Sequence, residues 1–142
     1  MIFVTVGSTE FDPLVKEMDK FAKGSREKVV CQIGPKGTYI PKKCGYFRTK
    51  LDIAKELEKA EVVITHGGAA TIFEALGMGK RVIAVCNPKM KKDHQEDIVD
   101  VLAKEGLIIK GELGKLKKAM GSKKKLKPYE KPECRIHRKI RI

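Results

Sequence analysis

The chain has no tryptophan, only 6% aromatic residues and four cysteines among 142 residues. Cys31, Cys44, Cys86 and Cys134 are scattered, with no C-x-x-C pair and no histidine at metal-ligand spacing. That is the pattern of neither a disulfide scaffold nor a zinc module. Two of them lie in apolar, strand-like runs, where a cysteine serves as a small buried hydrophobe. No apolar run approaches the ~20 residues that a membrane-spanning helix needs. The first residues, Met1-Ile-Phe-Val-Thr-Val, lack the basic region and small-residue cleavage site of a secretory signal. They read as a first strand, and the chain is expected to stay in the cytoplasm. Two nucleotide-binding signatures are also missing: no Gly-Lys-Ser/Thr follows a glycine loop, and no G-x-G-x-x-G occurs.

Charge is plentiful and unevenly placed. Residues 1–114 carry 19 Lys and Arg against 16 Asp and Glu, while residues 115–142 carry 12 against 2. The net charge of +13 therefore belongs mostly to a basic tail on a nearly balanced domain. With Tyr129 as its only aromatic, that tail lacks the interleaved rings that stack nucleic-acid bases, so no nucleic-acid partner is expected. An anionic surface or a partner protein suits it better. The length permits one domain with a real core and is too short for two. The expected division is a domain over residues 1–120 and a tail over 121–142.

Strand and helix signals alternate along the domain. Apolar runs at Ile2 to Val6, Val29 to Ile33, Val62 to Thr65, Val82 to Cys86 and Leu107 to Ile109 read as buried strands, with a short one at Tyr46-Phe47. Asp12 and Pro13 suggest an N-cap and first helical position, with Leu14, Met18, Phe21 and Ala22 at helical spacing and Gly24 as the stop. Asp52 is expected to cap a short helix carrying Ile53, Ala54 and Leu57. Further helices are expected over Thr71 to Leu76 and His94 to Glu105, the latter with Ile98, Val101 and Leu102 on one face. Leu113, Leu116 and Met120 suggest a last one. Short apolar strands separated by helices predict an α/β fold, a Rossmann-like parallel sheet with helices on both faces. Ligands of such sheets bind outside the carboxyl ends of the strands. Three loops fall there: Gly7-Ser8-Thr9, His66 to Thr71, and Asn87 to Gln95.

The second loop is the most informative. In Val62-Val-Ile-Thr-His-Gly-Gly-Ala-Ala-Thr-Ile-Phe-Glu74 a buried strand breaks into a glycine turn on which a helix opens directly. Helix N-termini carry unpaired N–H groups and partial positive charge, which together attract anions. Gly67 and Gly68 let a phosphate approach the backbone closely. Glu74, one turn inside, can accept two hydrogen bonds from a vicinal diol such as a nucleotide ribose. The local reading is nucleotide-diphosphate binding; the same pattern also serves a merely tight turn followed by a solvated Glu74.

With all three loops in view, the chain resembles the C-terminal, donor-binding half of glycosyltransferase family 28. Phe3-Val-Thr-Val-Gly-Ser-Thr-Glu-Phe-Asp12 looks like the opening of one subgroup of that family. The subgroup comprises small catalytic subunits of two-part UDP-N-acetylglucosamine transferases acting on dolichyl-diphosphate-GlcNAc, and bacterial exopolysaccharide transferase subunits. Further matches in the same order are Cys31-Gln-Ile-Gly34, Thr65-His-Gly-Gly-Ala69, Thr71 with Glu74-Ala-Leu76, Gly79-Lys80 and Asp93-His-Gln95. The resemblance covers about residues 1–110 and implies the C-terminal half of a GT-B fold. It implies that Gly7, Ser8 and Thr9 face the donor diphosphate and that His66, Gly67, Gly68, Ala69 and Thr71 wrap the nucleotide. Glu74 would hold the ribose, and Asp93 and Gln95 the donor sugar, with His94 between them. Ala70 stands where many relatives have glycine. His66 is open between loop architecture, phosphate contact and proton transfer.

The resemblance further implies an inverting transfer from a UDP-sugar without a metal cofactor, which suits the absence of an acidic D-x-D pair. It places the acceptor in a lobe expected on a separate, membrane-anchored subunit, which would bring a lipid-linked saccharide. The protein is then expected at the inner membrane face through that partner, with the basic tail against the partner or anionic lipid. The rival reading is a non-catalytic UDP-sugar-binding module.

Overall fold

The computed structural model describes residues 1–7, 9–88, 95–122 and 124–129. The strands β1 (Ile2–Thr5), β2 (Val29–Gln32), β3 (Gly45–Phe47), β4 (Val62–Thr65), β5 (Arg81–Ala84) and β6 (Ile109–Lys110) form one sheet in the order β3-β2-β1-β4-β5-β6. Every neighbouring pair is parallel. The chain winds outward from β1 to β3, returns to β4 and winds out the other way. The β1–β4 boundary is therefore the switch point of a doubly wound sheet.

Alternation along each strand assigns the two layers. Val4, Ile64 and Ile83 point to one face, where α1 (Asp12–Lys23) and α5 (Leu116–Met120) cover them. Phe3, Val63, Val82 and Ala84 point to the other, under α2 (Ala54–Lys59), α3 (Ala69–Gly77) and α4 (Gln95–Lys104). Phe3 is fully buried and stacks on Phe47 at 6.1 Å between centroids. Burial of that size contributes about 1.5–3 kcal/mol. Among the described residues no helix is long and apolar enough to cross a membrane.

Several local expectations are corrected. Phe11, and not Asp12, occupies the cap of α1; Asp12 is the first helical residue, and its carboxylate accepts from the Thr38 backbone N–H and hydroxyl. The same side chain that suits a cap here ties down the β2–β3 loop. Helix α3 begins at Ala69, two residues before Thr71, because Gly68 already has the extended backbone of a cap. On α4, Val101 is 54% exposed while Val99 is buried, so the inner face runs through Ile98, Val99 and Leu102. The last strand is shifted to Ile109–Lys110, and Leu113 precedes α5. Ile53, and not Asp52, occupies the cap of α2; Asp52 stands one residue earlier and accepts from the Ala54 N–H at 2.9 Å.

The β2–β3 connection is organised by one buried carboxylate. Asp19 accepts from the Tyr39 hydroxyl and from the backbone N–H groups of Lys42, Lys43 and Cys44. Burial works to raise its pKa, but these donors outweigh it and hold the carboxyl well below the usual range. Beside it the Cys31 and Cys44 thiols touch at 3.6 Å.

Beyond α5 the chain lies back along the domain. Arg81 donates to the carbonyls of Ser122 and Lys124 at 2.9 and 2.8 Å, and the Lys127 N–H donates to the Gly106 carbonyl at 2.8 Å. Tyr129 then packs on Phe73 of α3, 5.8 Å between ring centroids. The remainder of the expected tail, residues 130–142, lies outside the described residues.

Candidate functional site

The site is built where β1 and β4 end side by side. Thr5 pairs with Thr65 at the last register position, so the two following loops leave the sheet together. Gly7 and Gly67 both take positive φ, +62° and +94°, a conformation that L side chains resist. The chain can thus turn sharply after each strand.

His66 lies between those turns. Its ring is 6% exposed, and a Cβ added at Gly7 or Gly68 would fall 3.0 or 2.8 Å from its Cε1. The two glycines are therefore required by the imidazole that fills the space between them. Nδ1 lies 3.4 Å from the Thr65 hydroxyl. Burial lowers the His66 pKa, opposed by a hydrogen bond to the Thr5 backbone, so the ring is neutral near pH 7. A buried neutral ring in this position acts as a wedge that shapes both loops.

Beneath it lies a chain of polar groups. The Gly7 N–H donates to the Thr5 hydroxyl at 3.1 Å, and that hydroxyl donates to the Gln32 side-chain oxygen. Both side chains are buried and paired, which fixes the floor of the β1 loop. The Thr9 hydroxyl donates to the Val6 carbonyl at 2.7 Å and so holds the loop's far side.

Helix α3 starts at once after the glycine turn. It has no side-chain cap and no acidic residue in its first turn. Its first N–H groups, on Ala69, Ala70 and Thr71, therefore point outward at the sheet's carboxyl edge with the positive end of the helix dipole. Ala70 and Glu74 are exposed on this helix, and Thr71 is half-buried.

The third loop approaches from β5. Buried Asn87 donates from Nδ2 to the Glu10 carbonyl at 2.8 Å, tying the β5 loop to the β1 loop. Sequence reasoning named Asn87 only as the start of a loop. Its signal was its place as the first polar side chain after the β5 apolar run. A cleft of about 200 Å³ opens here, lined by Glu10, Phe11, Asp12, Pro13, Asn87, Pro88 and Leu113.

Gly7, Thr9, His66, Gly67, Gly68, Ala69 and Thr71 are thus brought to one edge of the sheet, with Glu74 farther along α3. Ser8, Asp93 and His94 lie outside the described residues, and Gln95 is placed only as the first residue of α4. Among the described residues no group of three or more His, Cys, Asp or Glu side chains gathers as a metal site.

Comparison with known proteins agrees with this architecture. The chain is 32% identical over 118 residues to the UDP-N-acetylglucosamine transferase subunit ALG13 of Homo sapiens, covering 74% of this chain. The subunit of the same name from Mus musculus is 33% identical over 117 residues. The chain spans about 10% of the length of those two relatives. In three dimensions it matches the MurG of Acinetobacter baumannii with a TM-score of 0.62 and 21% identity, over 80% of this chain and 36% of that one. It matches a solution structure of ALG13 with a TM-score of 0.61 and 17% identity, over 92% and 89% of the two chains. These likenesses identify the fold as that of GT-B glycosyltransferase C-terminal domains. The glycosyltransferase family 28 C-terminal domain matches residues 1–135, nearly the whole chain, and the protein belongs to that family.

Proposed function

We propose that the chain is the donor-binding, catalytic subunit of a UDP-sugar glycosyltransferase. The transferred sugar is N-acetylglucosamine and the acceptor a lipid-linked saccharide. The carrying observation is the wedge of His66 between Gly7 and Gly68, which opens the uncapped start of α3 at the sheet's switch point. A diphosphate laid there accepts hydrogen bonds from the first N–H groups of α3. Glu74 takes the ribose hydroxyls, and Asp93 and Gln95 the sugar. The names of the sequence relatives supply the choice of UDP-N-acetylglucosamine.

The reaction is an inverting displacement. The acceptor hydroxyl oxygen bonds to the anomeric carbon, the bond to the diphosphate oxygen breaks, and the acceptor proton passes to a base. Negative charge grows on the departing UDP, where the α3 dipole and backbone N–H groups stabilise it without a metal. His66, buried and neutral, shapes the loops. The base and the acceptor site belong to a membrane-anchored partner subunit, and residues 130–142 offer that partner or anionic lipid a basic contact.

Amide hydrogen exchange with and without UDP tests the assignment. Saturating UDP should slow exchange at residues 67–71 and near 7–9 and leave α1 and α5 unchanged. Protection spread evenly, or confined to α1 and α5, would overturn it.

A further inference from the structure

We propose that the face formed by α1 and α5 is a docking surface for an anionic phospholipid bilayer. It lies on the opposite side of the sheet from α3 and serves no step of the donor reading. A groove of about 610 Å³ runs between the two helices. Its floor is apolar, made by Phe21, Leu116 and Met120, and its rim carries Lys16, Lys20 and Lys117 together with Glu17.

The two helices carry five lysines against three acidic residues, and those acids are turned to backbone donors instead of to the lysines. Helix α1 carries three acidic residues, and each accepts hydrogen bonds from backbone N–H groups. Asp12 holds Thr38, Asp19 holds residues 42–44, and Glu17 holds Gly114 and Leu116 at the start of α5. Lys16 lies over the Tyr39 ring, and among the described residues neither Lys20 nor Lys117 is in an ion pair. Across the sheet the balance reverses, with six acidic residues against three basic ones on α2, α3 and α4. Helices α1 and α5 are thus net basic and helices α2, α3 and α4 net acidic, a difference that favours the α1–α5 side toward an anionic plane.

The charges suit a lipid surface better than an acidic peptide. They are lysines on long, exposed stems, point charges that reach headgroups while their methylenes rest on apolar surface. The groove between them offers aromatic and thioether surface, and its one carboxylate, Glu17, is taken up by the backbone N–H groups of Gly114 and Leu116.

The test is co-sedimentation of the full chain with vesicles of phosphatidylcholine, alone or mixed with phosphatidylserine. The parent should bind only the mixed vesicles. Lys16→Glu/Lys20→Glu/Lys117→Glu should bind them at least about tenfold more weakly, from the contribution of each basic residue near an anionic surface. Lys55→Glu/Lys59→Glu/Lys104→Glu changes net charge equally on the other face and should bind within about twofold of the parent by the same reasoning. Because the chain has no tryptophan, Phe21→Trp reports the groove alone, and its emission should shift to the blue on mixed vesicles. Equal losses in both triple variants, or an unshifted Phe21→Trp signal on bound protein, would overturn the proposal. So would binding of a polyglutamate peptide with none to vesicles. Thermal unfolding checks that each variant is folded. UDP titration of the same variants keeps this outcome separate from that of the donor site.

Discussion

Two regions of this molecule are proposed to meet negative charge, and they would do so by different means. At the carboxyl edge of β1 and β4 the positive potential comes from fixed backbone N–H groups at the start of α3, opened by glycines and a buried histidine. On the α1–α5 face it comes from lysine side chains around an apolar groove. The first arrangement is preorganised, so it can discriminate one anion from another at little cost in ordering. The second is mobile and long-ranged, so it attracts any anionic surface and yields to salt. The difference predicts selectivity at the edge and salt sensitivity on the face.

Removing Glu74 should have the largest effect on the edge. Glu74→Ala is expected to weaken UDP binding by about 1.5–3 kcal/mol, the scale of hydrogen bonds to a charged group. Calorimetry would show it, and equal affinity in mutant and parent removes Glu74 from the site. Gly68→Ala tests the wedge. Its added methyl falls 2.8 Å from the His66 ring, an overpacking expected to cost about 1–3 kcal/mol in UDP affinity or stability. An unchanged protein would mean that His66 does not shape the turn.

Asp19 tests the scaffold under the lysine face. Asp19→Asn keeps the size but loses charge-assisted bonds, and should lower unfolding free energy by about 1–3 kcal/mol in urea titrations. The sign of its pH dependence follows from a folded pKa held below the unfolded one. Its stabilisation is complete above the unfolded value of about 3.9 and is lost as pH falls below it. The parent should therefore lose stability in that acid range more steeply than the variant.

A smaller effect concerns His66. Burial lowers its pKa, so the unfolded chain takes up a proton first. Stability should fall as pH drops below about 6.5, and His66→Gln should remove that slope. The least effect is expected from salt on UDP binding. Going from 0.15 M to 1 M salt shortens the Debye length from about 8 to about 3 Å, which should release the protein from anionic vesicles while changing UDP affinity little. If both fall together, the two regions do not differ as argued.

The edge was legible in the sequence because its chemistry is local. Val62 to Glu74 writes the strand, the turn and the helix in one continuous stretch, and glycines at positive φ mark themselves. The doubly wound sheet was legible too, since continuous apolar runs separated by helical spacing leave few alternatives. The α1–α5 face was not. Asp12 looked like a cap and nothing local marked Asp19, because their partners at Thr38 and residues 42–44 are more than twenty positions away. Val101 was misread for a similar reason: helical spacing allows two adjacent stripes, and only the sheet's position chose Val99. Asn87 depends on Glu10, 77 residues earlier, and no local pattern announces that pairing.

The most direct measurement is calorimetric titration of the purified chain, without added metal, with UDP, UDP-N-acetylglucosamine, UDP-glucuronic acid and ADP. Selective binding of the uridine ligands, tightest for UDP-N-acetylglucosamine, is the predicted result. Equal binding of ADP and UDP, or binding of none of the four, would contradict a preorganised donor site on this chain.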